Sequence, residues 1–311
     1  MTPVRFCLHV WHALWVVGIA ALPLPCVVLA QSSLPPIIDM HFHAFWWEPE
    51  MEVLPGMRAP KTREELQTET LAALRQYNIV KVVASGGFIE DYQQAVPDRV
   101  IPGIPWLGRG VNIETISIET LRGLHKAGRL AVFAEFDSQY RGFAPADPVL
   151  APYWALAEEL DIPVGIHMGL GPPGIAYWGA PKYRMALSNP LLLEEVLIRH
   201  PKLRVYVMHA GWPMLDGILG LLFAHPQVYV DVGVINWGLP RAEFHTYLKR
   251  LVEAGFGKRI MFGSDNMVWP QAFGMAIEAI RAAPFLTEED KRDIFCMNAM
   301  RFLRLPKQTC D

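Results

Sequence analysis

A chain of 311 residues, 52% of them hydrophobic, is long enough to bury one large core, and α/β barrels of this length commonly form a single domain. The formal net charge is only −3, and lysines and arginines are interspersed with acids, which excludes the basic stripe that nucleic acid requires. A small-molecule substrate is the remaining partner class, and apolar residues on the helices leave a homodimer open.

Arg5 is the only charged residue among the first thirty. An apolar stretch from about Val10 to Ala30, broken by Pro23 and Pro25, ends in small residues ahead of Gln31. The run approaches the ~20 residues that span a bilayer, but the prolines and the small-residue end favour cleavage. This predicts a signal peptide over residues 1–30, cut after Ala30, and a barrel over residues 31–311. The mature chain is then periplasmic or secreted, with no stable membrane insertion. Cys26 lacks the preceding small residues of a lipid-attachment site. Export leaves Cys296 and Cys310 in an oxidising compartment, where they either pair or stay apart with Cys296 buried on a helix face.

Eight β-rich apolar runs follow, at residues 36–43, 79–85, 99–106, 130–137, 162–168, 203–209, 228–234 and 259–265. Between them lie segments with apolar residues at three- and four-residue spacing, several opening on Thr or Ser with an acid three positions later. Strands alternating with helices imply a parallel sheet, and eight repeats imply closure into a (β/α)8 barrel.

Active sites in this fold are built at the C-terminal ends of the strands. His41 and His43 close the first run, Glu135 the fourth, His167 the fifth, His209 the sixth and Asp265 the eighth. In "IIDMHFHAF" the two histidines are two residues apart, so on a strand both face one side and Phe42 the other. His200 and His225 precede prolines at the opposite rim, and His125 and His245 lie on helices; these four read as structural. Imidazole nitrogens and a carboxylate, with one position open for water, satisfy Zn²⁺. His41, His43, His167 and Asp265 supply that set.

The stretches "DMHFH", "GIHMG", "VMHAGWP" and "MFGSD" resemble the amidohydrolase superfamily, and more narrowly the branch containing aminocarboxymuconate-semialdehyde decarboxylase. The likeness runs from Pro36 to about Leu305. It implies that His41, His43, His167 and Asp265 hold one divalent metal, Zn²⁺ first with Mn²⁺, Fe²⁺ or Co²⁺ as alternatives. It implies further that His209 is the acid/base, with Asp265 able to take a proton as well. Some members bridge two metals with a strand-four carboxylate, so Glu135 either bridges, which leaves a second metal open, or orients a ligand histidine. Asp39 divides between a ligand-orienting role and the start of a turn.

Trp46, Trp47, Trp178, Trp212, Trp237 and Trp269, with Trp106, fall in segments after strands. They either line a pocket for an apolar or aromatic substrate or pack the loops together. The insertion after the fifth run is long enough for a lid. Its Gly169, Gly171 and Gly174 match a dinucleotide fingerprint by count alone, since Pro172 and Pro173 fill the middle. Arg109, Arg141 and Arg184 stand where an arginine could clamp a substrate carboxylate. The expectation is an exported metal-dependent hydrolase of a lactone, ester or amide. Its alternatives are a nonoxidative decarboxylase and a non-catalytic metal-binding barrel that serves as a binding module.

Overall fold

The computed structural model describes residues 34–47, 54, 57–105 and 113–311; the expected signal peptide, Trp106 and Arg109 lie outside them. All eight runs contain strands: β1 (Ile37–His43), β2 (Ile79–Gly86), β3 (Val100–Pro105), β4 (Phe133–Phe136), β5 (Val164–Ile166), β6 (Val205–Val207), β7 (Val228–Asp231) and β8 (Ile260–Met261). Their pairing is parallel and sequential, β1 through β3 and β4 through β8.

Backbone hydrogen bonds close both seams. Ala131 N–H donates to Pro102 O at 2.8 Å between β3 and β4, and Met40 N–H donates to Phe262 O at 2.9 Å between β1 and β8. A helix follows each strand, in order Arg63–Gln76, Ile89–Ala95, Ile118–Lys126, Ala151–Glu159, Glu194–Arg199, Leu215–Ala224, Arg241–Leu251 and Gln271–Arg281. This is the (β/α)8 barrel expected from the alternation. The anticipated caps are present: the Thr62 hydroxyl accepts the Glu65 N–H at 3.1 Å, and Thr287 forms a reciprocal box with Asp290.

Several ladders stop before the apolar run does. His167, His209 and Asp265 lie past the ends of β5, β6 and β8, whereas His41, His43 and Glu135 lie within strands. His209 and Asp265 have φ of 57° and 47°. Left-handed backbone cannot continue a ladder and costs an L-residue about 1–3 kcal/mol where it persists.

The main apolar core lies between strands and helices. A second cluster joins Ile38, Met40, Val83, Tyr206 and Met261 to Cys296, Met300, Phe302 and Cys310. Arg204, just ahead of β6, donates to Phe302 O at 2.7 Å, which sets this C-terminal segment at the barrel end opposite the histidines. Cys296 and Cys310, both buried, form a disulfide, the paired alternative of the two that the sequence left open. A loop of this length stabilises by about 3 kcal/mol in the chain-entropy account.

Candidate active site

β1 alternates faces, so Asp39, His41 and His43 point one way. The segment after β8 is laced to them. Asp39 Oδ1 accepts the His41 N–H at 3.0 Å and the Ser264 N–H at 2.8 Å, while Asp265 N–H donates to His41 O at 2.7 Å. Asn266 Oδ1 accepts the His43 N–H at 2.9 Å, and its Nδ2 donates to His43 O at 3.4 Å. Asp265, held on both sides, brings Oδ1 to 2.9 Å from His43 Nε2 and 3.7 Å from His41 Nε2.

Glu135 enters from β4. Its Oε2 is 3.5 Å from His43 Nε2 and 3.8 Å from His41 Nε2, and its Oε1 is 3.7 Å from His167 Nε2. It thus faces the Nε2 edges of three rings. The His209 ring stacks obliquely at 5.1 Å from His41 and edge-on at 4.5 Å from His167, with Nδ1 donating to Gly233 O at 3.0 Å. That bond places the proton on Nδ1 and leaves Nε2 with its lone pair. Tyr140, in the turn after β4, sets its hydroxyl 3.4 Å from His167 Nε2.

All five strand-end groups named above, other than Glu135, are buried nearly completely. Yet His41 Nε2, His43 Nε2, His167 Nδ1, His209 Nε2 and Asp265 Oδ1 make no hydrogen bond among the described residues. Buried polar atoms are rarely left so, and a cluster of them marks a place for an ion. Of three trios of donors, two share one carboxylate, His41–His43–Glu135 and Glu135–His167–His209, and the third is His41–His209–Asp231.

The electrostatics agree with a cation's place. Burial would raise the Asp265 carboxyl, but His41, His43 and His209 hold it down at about 2. Burial also opposes ionisation of Glu135, and the surrounding imidazoles reverse this, keeping it below the usual carboxylate range. Burial pushes the His167 ring down to about 3, with His209 adding to it. His41 goes the other way, because the charges of Asp265 and Asp231 outweigh its burial. Burial drives the Tyr140 phenol well above its ordinary value, so it stays a donor.

Residues 38–305 match the amidohydrolase family model. The chain belongs to the amidohydrolase family. Among curated proteins, Protein fluG of Emericella nidulans is 24% identical over 121 residues, 39% of this amidohydrolase and 13% of fluG, so the match spans a small part of that relative. A probable 2-pyrone-4,6-dicarboxylic acid hydrolase of Acinetobacter baumannii, solved with citric acid, superposes with TM-score 0.61 at 20% identity, covering 86% of this chain and 99% of its own. A 5-carboxyvanillate decarboxylase of Novosphingobium aromaticivorans, solved with manganese, gives TM-score 0.57 at 14% identity over 89% and 98% of the two chains. At such identities these two likenesses speak for the fold.

The tryptophans divide. Rings lead away from His43 through Phe45 at 4.5 Å and Trp47 at 4.7 Å further, then Trp269 and Trp237 in steps of 6.3 and 6.2 Å. Trp237 is anchored by its Nε1–H on Ser264 O, 2.7 Å away. Trp212 lines a cavity of about 730 Å³ with Leu170, Ile175, Tyr183 and Arg184, all in segments that follow His167 and His209. Trp46 is half-buried, and Trp178 is 66% exposed, outside both groups. Of the arginines, Arg141 is engaged by Glu114 and Asp137, and Arg184 donates to Pro181 O and Tyr183 O.

Three residues of the site went unremarked in the sequence: Asp231, Asn266 and Tyr140. Asp231 ends β7 as an acid after an apolar run, the same signal that marks the other strand-end groups. Asn266 follows Asp265 directly but is an amide, and Tyr140 sits in a short turn; neither has a periodic signature.

Proposed function

We propose that this amidohydrolase is an exported hydrolase that holds a divalent metal, Zn²⁺ first, and opens a C–O or C–N acyl bond of a small lactone, ester or amide. The observation that carries it is the set of buried donor atoms of His41, His43 and Asp265, without hydrogen bonds among the described residues, with Glu135 and His167 across from them. Their separations of 2.9–3.8 Å suit an ion, since bonds of about 2.0–2.2 Å give tetrahedral edges of about 3.3–3.6 Å. His41, His43, His167 and Asp265 would hold the ion, with Glu135 among them. A metal there supplies Lewis acidity and makes water a stronger acid near neutral pH.

The chain's own groups divide the remaining work. His209, with its proton fixed on Nδ1 by Gly233 O, presents Nε2 as the proton acceptor. Asp265 Oδ2, 3.8 Å from His209 Nδ1, keeps a negative charge beside that ring. The Tyr140 hydroxyl is the donor aimed at the oxygen that gains charge as the acyl carbon becomes tetrahedral. A carboxylate-binding arginine beside the metal donors would instead favour a decarboxylase; Arg141 is engaged by Glu114 and Asp137, and Arg184 donates to Pro181 O and Tyr183 O. The aromatic path from His43 and the cavity beside Trp212 suit an apolar substrate body. Export is supported by the leader-like composition of residues 1–30 and by the oxidised Cys296–Cys310 pair.

Elemental analysis of the purified chain, followed by a screen of lactones, esters, amides and aromatic acids with CO₂ detection, tests the proposal. Metal present with acid release and no CO₂ is the expected outcome. CO₂ release from an aromatic acid would replace it with a decarboxylase, and no metal at any pH would remove it. Two ions per chain would favour the reading in which Glu135 serves both of the trios that contain it.

A further inference from the structure

Asp231 is buried completely at the end of β7, where it forms a donor trio of its own with His41 and His209. Its two oxygens are used differently. Oδ1 accepts the Gly233 N–H at 2.7 Å and the His209 N–H at 3.3 Å, so it fixes the turns that carry both. Oδ2 lies 3.2 Å from His41 Nδ1, the ring edge opposite the one facing Glu135 and Asp265; the approach is an ion-pair contact, and neither atom makes a hydrogen bond among the described residues.

Room for this pair is made by two glycines. A Cβ on Gly233 would come 2.9 Å from His41 Nδ1 and 3.1 Å from Asp231 Oδ1. One on Gly263 would come 2.9 Å from His41 Cβ and 3.2 Å from Asp231 Cγ. Both chain segments approach the carboxylate–imidazole pair so closely that no side chain fits between, and Gly263 O and Ser264 O are themselves tied down by Asn236 and Trp237.

We infer that Asp231 is a positioning residue: it holds the His41 proton on Nδ1, so that Nε2 meets the site as a lone pair. The inference rests on the metal-dependent reading above. A neutral imidazole carries one proton, and the acceptor on one nitrogen decides which nitrogen keeps a lone pair for a metal. The same carboxylate orients the His209 turn, so one side chain aligns a ligand and the acid/base together.

Asp231→Asn tests this because it separates the two oxygens' tasks. The amide oxygen can still accept from Gly233 and His209, whereas the amide nitrogen offers His41 Nδ1 a donor and drives the ring proton to Nε2. Metal-stripped protein would be titrated with Zn²⁺ and with Mn²⁺ against a chelator of known affinity. Loss of affinity of about 10- to 100-fold is expected, with the melting temperature of the metal-free protein within a few degrees of the parent. Affinity within twofold of the parent in a folded variant would overturn the inference. A parent that binds neither ion would instead overturn the metal-dependent reading. Should the variant fail to fold, long-range ¹H–¹⁵N correlation of the Zn²⁺-loaded parent's imidazoles decides: His41 is expected to keep a proton on Nδ1 with Nε2 unprotonated, and a proton on Nε2 would overturn the inference.

Discussion

The two sides of the site are built differently. On the side of β1, β7 and β8, buried side chains lock the backbone that carries the donors: Asp39 on His41 and Ser264, Asn266 on His43, Asp231 on His209 and Gly233. On the side of β4 and β5, Gln139, Tyr183 and Ser188 all donate to Gly169 O, two residues past His167, but among the described residues no side chain holds the backbone of Glu135 or His167 itself. His167 Nδ1 has no hydrogen bond, and its other nitrogen meets only a long contact from Tyr140 besides Glu135. One side is tied at the donors themselves and the other in the loop beyond them, which leaves the Glu135 and His167 side chains more room to settle around an ion. Fixing donors in advance lowers the ordering cost at binding, while a looser carboxylate lets the site accept changes during a reaction.

His209→Asn is the largest expected break in this picture. If the ring passes the proton, turnover on any substrate found falls about 10²- to 10⁴-fold while metal content stays at the parent's level. Metal lost along with turnover would move His209 from the acid/base to the ligands, in the trio with Glu135 and His167.

Asp39→Ala attacks the locked side from behind. It leaves the His41 and Ser264 N–H groups buried without their acceptor, at about 1–3 kcal/mol for each. Denaturant unfolding of the metal-free variant should show that loss. A change under about 0.5 kcal/mol would mean that water or a shifted backbone replaces the carboxylate, and that the locking is weaker than the contacts suggest.

These contacts also explain what could be read from the sequence. The barrel was legible because eight apolar runs alternate with capped helices, and the donors were legible because each ionisable group follows an apolar run. The locking was not, since it depends on residues over two hundred positions apart, such as Asn266 and His43, and amides carry no strand-end signal. The left-handed turns at His209 and Asp265 also escaped, because nothing in "VMHAG" or "FGSDN" marks where a ladder stops. Asp231 was within reach of the strand-end rule and shows that the rule should be applied to every strand without exception.

Tyr140→Phe probes the looser side. Removing the hydroxyl leaves the ring contacts with His167 and Tyr183, at 4.9 and 5.1 Å, so stability and metal content should hold. If the phenol stabilises developing charge, kcat falls by at least about tenfold, 1.4 kcal/mol, with KM little changed. A rise in KM alone, with kcat intact, would assign Tyr140 to substrate binding.

The smallest effect lies in pH. Burial raises the Asp39 carboxyl from 3.8 to about 6, against the hydrogen bonds it accepts from Ser264 and His41. A carboxyl whose folded value exceeds its unfolded one contributes stability that is full below the unfolded value and lost as pH rises through the folded one. For Asp39 that window runs from about 4 to about 6. Asp39→Asn carries no titrating group and keeps one acceptor oxygen for the two N–H groups. Measured on metal-free protein, its stability relative to the parent should therefore improve as pH rises from 4 to 7, and parallel curves across that range would place the locking energy in geometry alone, with burial of the charge contributing nothing.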